Sequence, residues 1–448
     1  MPTLNESTIE KMTIELLQEV GFSYVAPADM EAERASFEEV VLAARTRAAI
    51  WKLNPELPEE ARVYALNQII HTASLTDNVV ENNRAVHRLL TEGVQVEILE
   101  DGHMRGFAVR VIDWENMANN DFVVANQFFV KGMSHDKIPD VVLFVNGLPL
   151  VVIELKNVVD ENATVHKAFT QLTNYQSAVP ELFAYNGILV ISDGLDARAG
   201  TITSSFDRFI AWKSVDGSRA SKDTARRDSA ESSSRTVPEI QTLIQGMLQP
   251  AVLLDLVRNF TVYEDERKFD DQGLPYVHTV KKVAAYHQYY AVQKAVDSTL
   301  RASDEEGDKR AGVVWHTQGS GKSLSMVFYA GKIVQRLNNP TMVVVTDRND
   351  LDDQLFGTFA GAKDLLRQDP VQAENRDHLK ELLKVSGGGI IFTTIQKFSL
   401  LEGENEYGEL SDRRNIIVMA DEAHRSQYGF NATVRESGDG ASISYGFA

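Results

Sequence analysis

Residues 139–156, PDVVLFVNGLPLVVIELK, constrain the fold of this chain more than any other stretch. Two runs of apolar, β-forming residues flank an Asn-Gly pair, which is a strong short-range signal for a β-hairpin. Side chains alternate along a strand, so Glu154 and Lys156, at the end of the second run, lie on one face. Two charged side chains on one face at the end of a buried strand are costly to bury, so they indicate either a paired structural contact or a functional site.

The position of Asp140, at the head of the first run, depends on the register of the hairpin. A two-residue Asn-Gly loop pairs residue 145 with 148 and therefore 140 with 153, which puts Asp140 and Glu154 on opposite faces. A three-residue connection, Asn146–Leu148, or a single β-bulge brings the two acids to the same face. We expect one of these two arrangements.

With that register, two carboxylates and one ammonium meet at the end of the hairpin. Carboxylate oxygens bind Mg²⁺, which neutralises a scissile phosphate and activates water. In one interpretation, Asp140 and Glu154 are metal ligands and Lys156 stabilises the developing charge. The alternative is a structural salt bridge between Glu154 and Lys156 at the rim of the sheet.

The segment that follows, ATVHKAFTQLTNYQSA (163–178), has the apolar stripe of a helix. Gln171 and Tyr175 lie four residues apart, hence on one face, where they could grip a DNA phosphate or brace Lys156. On an earlier predicted helix, Glu81 is a possible further ligand, although a solvated acid explains it as well.

The stretch HTQGSGKS (316–323) follows the apolar run GVVWHT and precedes an apolar helical pattern. It matches the P-loop pattern G-x-x-x-x-G-K-[ST] in its last three residues, with His316 in place of the first glycine. In a P-loop, backbone N–H groups cradle phosphate, the lysine reaches the β- and γ-phosphates, and the hydroxyl binds Mg²⁺. The alternative is an ordinary glycine-rich turn. The expected ATP-binding loop comprises Gly319, Ser320, Gly321, Lys322 and Ser323.

Another apolar run, IIVMADEAH (416–424), ends in two acids. Asp421 can hold Mg²⁺, and Glu422 can polarise the attacking water. On its own such a pair indicates a solvated loop, but after a P-loop it indicates a nucleotide site. Strands and helices alternate from residue 275 onward, which predicts a mostly parallel sheet with 312–317 as one of its strands.

These nucleotide-site motifs resemble those of superfamily 2 helicase-like motors. TQGSGKS and DEAH are similar to motifs I and II of that superfamily, VVVTDRNDLDDQ to motif Ia, and IIFTTIQKF to the strand and turn that follow. AAYHQYYAV resembles the upstream Gln motif, in which Gln288 would read the adenine edge, although Ala285 stands where the family more often has arginine. The resemblance also implies that His424 links the ATP site to the DNA-gripping motifs.

The P-D…E-x-K…Q-x-x-x-Y series resembles the RecB-like branch of the PD-(D/E)xK nucleases, and Lys213 resembles a lysine that follows the nuclease core there. A nuclease ahead of a superfamily 2 motor looks like the R subunit of type I restriction enzymes. That resemblance implies ATP-dependent translocation on double-stranded DNA, Mg²⁺-dependent cleavage, and separate methyltransferase and specificity subunits as partners. The alternatives are a repair-type nuclease–helicase and a non-catalytic module that docks on DNA or a methyltransferase.

The resemblance implies an α/β chain in three parts. These are an α+β, restriction-endonuclease-like nuclease domain with an N-terminal helical part (1–215), a linker with a connecting helix (216–270), and a first RecA-like P-loop lobe with a parallel sheet (271–448). The final residues, SYGFA, stand where this family continues with motif III and a second lobe. We therefore expect a piece that folds its nuclease and binds ATP weakly, without rapid hydrolysis or translocation.

Composition limits the possible partners. The net charge of −19 argues against a broad DNA-binding surface, so DNA needs a local basic surface or a partner subunit. The chain has no cysteine, its N-terminus lacks a signal pattern, and its longest apolar stretch is too short to cross a bilayer. These features predict a cytoplasmic protein without membrane contact.

Overall fold

The computed structural model describes most of the chain and divides it into two compact units, Met1–Tyr290 and Ala291–Ala448. Each unit contains a sheet of its own. The described residues are 6–100, 102–132, 135–157, 165–218, 238–346, 349–398, 409–423, 433–437 and 440–444.

The first unit is built around a seven-stranded mixed sheet. The strands of the first unit, in the large sheet and outside it, are Ser23–Val25 (β1), Val94–Glu100 (β2), His103–Val109 (β3), Phe122–Asn126 (β4), Val141–Val145 (β5), Leu148–Leu155 (β6), Ile188–Ser192 (β7), Ala197–Gly200 (β8), Ile210–Ala211 (β9), Thr261–Phe269 (β10) and Pro275–Val283 (β11). The large sheet has the order β1-β4-β5-β6-β7-β8-β9, and β2–β3 and β10–β11 form separate antiparallel hairpins. Strand β6 is central, antiparallel to β5 and parallel to β7.

The helices of the first unit are Glu6–Glu19 (α1), Pro27–Ala32 (α2), Ala43–Leu53 (α3), Glu59–Thr72 (α4), Val79–Glu92 (α5), Val165–Ala178 (α6), Pro180–Ala184 (α7), Glu239–Met247 (α8) and Pro250–Asn259 (α9). A further helix, Tyr286–Ser303 (α10), crosses the boundary between the units. Helices α1 and α6 both pack against β6. Every residue of β5 and β6 is buried, which is why both strands are apolar almost throughout rather than alternating.

A buried lysine anchors the β10–β11 hairpin to the rest of the first unit. Lys281 is 2% exposed and donates from Nζ to Asn83 Oδ1 (2.9 Å) and to the carbonyl oxygen of Asn186 (2.6 Å). The hydroxyl of Tyr263 donates to the same Asn83 Oδ1 at 2.6 Å. Burial lowers the pKa of Lys281 to about 7. Polar contacts therefore fix the hairpin to α5 and to the turn before β7.

The first unit extends further along the chain than the expected nuclease domain. Helices α8 and α9, in the segment expected to be a linker with a connecting helix, bury apolar side chains such as Leu243 and Leu253. Residues 219–237 of that segment lie outside the described residues. Compact units are not functional domains, so the boundaries at 215 and 270 remain predictions.

Among the described residues, no single helix is both long and apolar enough to cross a bilayer. Helices α8 and α9 pass that test only as a pair, with a bend of 69° between them. Both of these helices are largely buried in the first unit.

The second unit contains a parallel sheet of order β13-β14-β12-β15, as the alternation of strands and helices predicted. Its strands are Thr341–Thr346 (β12), Val371–Gln372 (β13), Ile390–Thr394 (β14), Ile416–Ala420 (β15), Thr433–Ser437 (β16) and Gly440–Ser444 (β17). Its helices after α10 are Lys322–Arg336 (α11), Asn349–Gly361 (α12), Lys363–Leu366 (α13) and Arg376–Leu383 (α14). The expectation of an α/β chain with a parallel sheet is thus confirmed.

The strand expected at 312–317 is not formed, and that prediction is wrong. Val313 and Trp315 are 87% and 88% exposed, and 312–317 pair with no strand in the part of the chain that the structure describes. An apolar run favours a strand, but its backbone groups need a neighbouring strand to pair with. Composition alone does not reveal whether that neighbour is present.

Candidate functional site

The turn between β5 and β6 is a two-residue loop. Asn146 and Gly147 have φ angles of 51° and 80°, the positive values that such a hairpin turn requires. Glycine is needed at 147 for a second reason, since a Cβ there would lie 2.6 Å from the Leu42 carbonyl oxygen and from Thr46 Oγ1. The turn is therefore locked against the start of α3.

A β-bulge sets the register of the hairpin. Pairing runs 145 with 148 and 144 with 149, then changes to 143 with 151 and continues to 141 with 153. Leu150 is the extra residue, which confirms the bulge that the sequence predicted and excludes the three-residue connection. Continued by one residue, this register places Asp140 opposite Glu154.

Asp140, Glu154 and Lys156 meet at the end of the hairpin. Glu154 is 0% exposed and Asp140 is 8% exposed. The Leu155 N–H donates to Asp140 Oδ2 at 2.7 Å, and Lys156 Nζ donates to Glu154 Oε1 at 2.7 Å and to the Leu155 carbonyl oxygen at 2.8 Å. The second oxygen of Glu154, Oε2, is buried and accepts no hydrogen bond from any of the described residues.

Burial and mutual repulsion set the protonation of the two acids. Burial raises the pKa of Glu154 to about 8, with a further increase from the charge of Asp140 and a partial offset from Lys156. Burial also raises the pKa of Asp140 to about 6, opposed by the Leu155 N–H and by Lys156. Burial alone would lower the pKa of Lys156, but the surrounding carboxylates outweigh it and raise that pKa. Burial and mutual repulsion therefore make both carboxyl groups harder to ionise than in water, while the adjacent ammonium favours their charged forms.

This donor set fits Mg²⁺. Two carboxylates face each other, one of their oxygens lacks a donor, and the Leu155 carbonyl oxygen lies within reach of the same ammonium. Mg²⁺ prefers oxygen ligands and commonly binds through only one or two carboxylates together with water. Among the described residues no group of three or more His, Cys, Asp or Glu side chains could hold a metal, so a metal ion beside Asp140 and Glu154 would need water or substrate oxygens as its other ligands.

A further carboxylate that the sequence did not indicate lies next to Lys156. Glu6 Oε1, in the first turn of α1, is 3.6 Å from Lys156 Nζ. One turn later, Glu10 accepts hydrogen bonds from Asn126 Nδ2 (2.5 Å) and Gln127 Nε2 (2.8 Å), which fixes α1 beside β4. The spacing of Glu6 and Glu10 on one helical face was the only signal available, and it does not say which strand the helix packs on.

Two other residues that the sequence suggested for this site lie apart from it. Glu81 is exposed in the first turn of α5, and Lys213 is exposed. Within the described residues, no contact joins either side chain to Asp140, Glu154 or Lys156. Their proposed roles have no support from the geometry.

Gln171 and Tyr175 brace the chain before Asp140. Gln171 Nε2 donates to the Tyr175 hydroxyl at 2.5 Å, and that hydroxyl donates to the carbonyl oxygen of Ile138 at 3.3 Å. Burial raises the pKa of Tyr175, and the charge on Glu154 raises it further, so the phenol lies within electrostatic reach of that carboxylate. Of the two roles expected for this pair, the described hydrogen bonds show a brace, and they brace Ile138 rather than Lys156.

In the second unit, the P-loop lysine meets the acidic pair that follows β15. Gly319 and Gly321 both have φ of 79°, and α11 begins at Lys322, so its first N–H groups face the loop. Lys322 Nζ donates to Glu422 Oε1 at 3.0 Å. The two motifs, far apart in sequence, are therefore adjacent in the fold.

The neighbouring residues of this loop have defined places as well. The Asp421 N–H donates to the Val345 carbonyl oxygen at 2.9 Å, which holds the acids at the carboxyl end of the parallel sheet. Ser320 Oγ donates to the Thr317 carbonyl oxygen at 2.7 Å, and Ser323 follows Lys322 in the first turn of α11. His424 lies outside the described residues.

Gln288 has a structural contact in the first unit. It is 5% exposed, and its Oε1 accepts a hydrogen bond from the Ala285 N–H at 2.9 Å. This is the backward bond of a capping box, with glutamine three residues into α10. Its expected role in reading adenine remains a prediction.

Two protein families match successive parts of the chain. Residues 287–440 match the SWI2/SNF2 ATPase family, and residues 3–208 match the family of the type I restriction enzyme R protein N terminus. An ATPase-related segment thus follows an R-protein segment in one chain.

Individual relatives give the closer assignment. The chain is 46% identical over 438 residues to the HindI endonuclease subunit of Haemophilus influenzae, and 34% identical over 448 residues to the provisionally named MjaIXP endonuclease subunit of Methanocaldococcus jannaschii. Both matches cover 95% of this chain and 39% and 40% of the relatives, so the chain spans about two fifths of their length. The chain is a homologue of the endonuclease subunits of type I restriction enzymes, and the predicted resemblance is confirmed.

Proposed function

We propose that this chain is the restriction (R) subunit of a type I restriction–modification system. It cleaves double-stranded DNA with Mg²⁺ in a PD-(D/E)xK nuclease domain, and its RecA-like lobe binds ATP as one part of the motor that drives translocation in the whole subunit. Methyltransferase and specificity subunits are its partners. The observation that carries the proposal is the bulged register that brings Asp140, Glu154 and Lys156 together at the end of one hairpin.

The residues of the cutting centre divide the work. Mg²⁺ held by Asp140 and Glu154 would neutralise the scissile phosphate and activate the attacking water. The ionised form of Glu154 is the one whose Oε2 would accept a cation, and the ammonium of Lys156 favours that form. Two N–H bonds of Lys156 Nζ hold Glu154 and the Leu155 carbonyl oxygen. The third N–H, which has Glu6 Oε1 at 3.6 Å from the same nitrogen, would exchange that carboxylate for a phosphate oxygen.

The nucleotide site works through exchange of partners. Lys322 is paired with Glu422, and a β- or γ-phosphate would take that place on the ammonium. Glu422 would then be released to orient the attacking water, while Asp421 and Ser323 would hold Mg²⁺. The loop Gly319–Ser323 supplies N–H groups at a helix N-terminus, as phosphate binding requires.

Plasmid nicking tests the nuclease half of the proposal. The chain, incubated with supercoiled DNA and Mg²⁺, should form nicked and linear products, and EDTA should stop the reaction. Glu154→Gln and Lys156→Met should each lower the rate by at least about 100-fold, because each removes a group that touches the phosphate or its metal. Glu81→Gln, an exposed acid on α5, is the matched control and should cut like the wild type.

The alternatives make different forecasts for the same assay. A non-catalytic docking module would give no Mg²⁺-dependent products from the wild type, or equal products from Glu154→Gln, and either result would end the nuclease proposal. A repair-type nuclease–helicase would cut but would not co-purify with methyltransferase and specificity subunits. Co-purification with those subunits separates restriction from repair.

A further inference from the structure

A shallow groove of about 550 Å³ lies between α6 and the segment that leads to β5. On the helix side, its polar side chains stand at positions i, i+3, i+4 and i+7, which form one face of α6. Across the groove lie Asp136, Lys137 and Ile138. The helix-side residues are Lys167, Thr170, Gln171 and Asn174.

The chemistry of this lining suits an anion that follows a chain. Two lysines face one aspartate, and the remaining side chains offer amide and hydroxyl groups. Lys137 Nζ lies 5.7 Å from the centroid of the Tyr175 ring, so an aromatic face supports one of the two ammonium groups. Lys167 is exposed on the opposite wall. Lysine, threonine and asparagine are residues that commonly contact nucleic-acid phosphates and carry no sequence information there.

The groove lies beside the proposed cutting centre. Tyr175 lines the groove, and its hydroxyl donates to the carbonyl oxygen of Ile138 on the opposite wall. Ile138 is two residues ahead of Asp140, and the charges of Glu154 and Asp140 raise the pKa of the Tyr175 hydroxyl, as this proximity requires. A strand that lies in the groove would therefore pass close to the two carboxylates.

We propose that this groove binds the backbone phosphates of the DNA strand that is cut, next to the scissile one. Lys137 and Lys167 are the phosphate contacts, and Thr170 and Asn174 are hydrogen-bond donors. These are positioning residues, because they hold the strand and touch neither the reacting phosphate nor its metal. The inference rests on the proposed nuclease function and adds the surface by which the acidic chain holds its substrate.

Binding of a fluorescent duplex at several salt concentrations, without Mg²⁺, tests the groove directly. Each phosphate contact contributes about 0.9 to the slope of log affinity against log salt. Lys137→Gln and Lys167→Gln should each make that slope less steep by about 0.9, and the double variant should make it less steep by about 1.8. At about 0.1 M salt, the loss of one contact means a roughly eightfold weaker Kd. Lys→Arg variants should retain the slope, and Asp136→Asn should bind more tightly than wild type.

Lys11→Gln is the matched control, because Lys11 lies on the same unit with 80% of its side chain exposed. In plasmid nicking with Mg²⁺, the double variant should need more DNA for half-maximal rate while its rate at saturating DNA stays at the wild-type value. Loss of rate at saturation would mean that the fold or the centre was damaged, and circular dichroism would show which. The proposal is overturned if the double variant has the same salt slope, and needs the same DNA concentration for half-maximal nicking, as Lys11→Gln. It is also overturned if the wild type binds no duplex.

The two proposals fail separately. A wild type that binds DNA with a slope dependent on Lys137 and Lys167 but never nicks keeps the groove and removes the nuclease. A wild type that nicks, but is indifferent to both lysines, keeps the nuclease and removes the groove. Lys156→Met should lose nicking but should still bind duplex. Its salt slope should be less steep than that of the wild type by no more than the roughly 0.9 that one phosphate contact contributes.

Discussion

Lys281 gives the first unit a dependence of stability on pH whose sign can be worked out. Its pKa is lowered by burial from 10.5 to about 7. Between these two values the unfolded chain binds a proton that the folded chain does not, so the free energy of unfolding rises with pH in that window. Below about pH 7 the folded chain buries the charged form of the lysine, and the free energy of unfolding is then lower by at most about 5 kcal/mol than at high pH.

Lys281→Met isolates this effect, because the acceptors that it leaves behind keep other donors. Asn83 Oδ1 still receives the Tyr263 hydroxyl, and the Asn186 carbonyl oxygen still receives Asn83 Nδ2 at 2.8 Å. We expect the difference in unfolding free energy between wild type and Lys281→Met to move by about 2 kcal/mol in favour of the wild type between pH 7 and pH 9. At acidic pH the variant should be the more stable of the two.

Urea unfolding followed by tryptophan fluorescence measures this difference, because three of the four tryptophans lie in the first unit. These are Trp51, Trp114 and Trp212. Lys268→Met, on the exposed end of the same hairpin with 44% of its side chain exposed, is the control and should follow the wild type at every pH. Parallel curves for the wild type and Lys281→Met across pH 7 to 9 would refute the reasoning.

Three further outcomes are expected. Tyr175→Phe should lower the unfolding free energy by about 1–3 kcal/mol and slow plasmid nicking, because it removes the hydroxyl that braces the chain just before Asp140. In a double-mutant cycle, adding Gln171→Ala to Tyr175→Phe should cost less than Gln171→Ala costs in the wild type, since the two side chains share one hydrogen bond. Lys322→Ala should abolish ATP binding in titration calorimetry, whereas Glu422→Gln should bind ATP at least as tightly as wild type, since it weakens the ion pair that phosphate has to replace. Gly147→Ala should destabilise the first unit by more than about 1 kcal/mol in urea unfolding, because its φ of 80° disfavours alanine and two oxygen atoms would lie 2.6 Å from the new Cβ. A decrease of only a few tenths of a kcal/mol in the unfolding free energy would contradict this close packing of the turn.

The register of the hairpin was accessible from sequence because strand geometry leaves little choice. Side chains alternate with a period of two, so a two-residue turn and a shared face for Asp140 and Glu154 are compatible only with one extra residue. The structure supplies that residue as Leu150. The parallel order of the second sheet was accessible for a similar reason, since alternating strands and helices permit few other arrangements.

Contacts between distant segments were not accessible. Glu6 reaches Lys156 because α1 packs against β6, and no local pattern in the N-terminal helix records that packing. The apolar run 312–317 predicts a strand, yet pairing depends on a neighbour elsewhere in the chain. Gln288 is a different case, since its contact is local: the side chain suits both a helix cap and an adenine contact, and the structure shows the oxygen accepting from the N–H of Ala285, three residues back.

Charge is where composition and structure lead to different conclusions about DNA. The net charge of −19 is a sum over the chain, whereas a phosphate senses mainly the charges within about one Debye length, ~10 Å at 0.1 M salt. The cutting centre itself is not basic, since Glu6, Asp140 and Glu154 surround the single ammonium of Lys156. Attraction for a strand therefore has to come from beside the centre, and the groove that carries Lys137 and Lys167 is so placed. If the groove binds DNA as proposed, the acidic body governs how often DNA arrives, through long-range repulsion, while the groove governs how firmly DNA is held. Substitution of the groove lysines changes the net charge by only two units but should remove two phosphate contacts, so the salt slope separates these two effects.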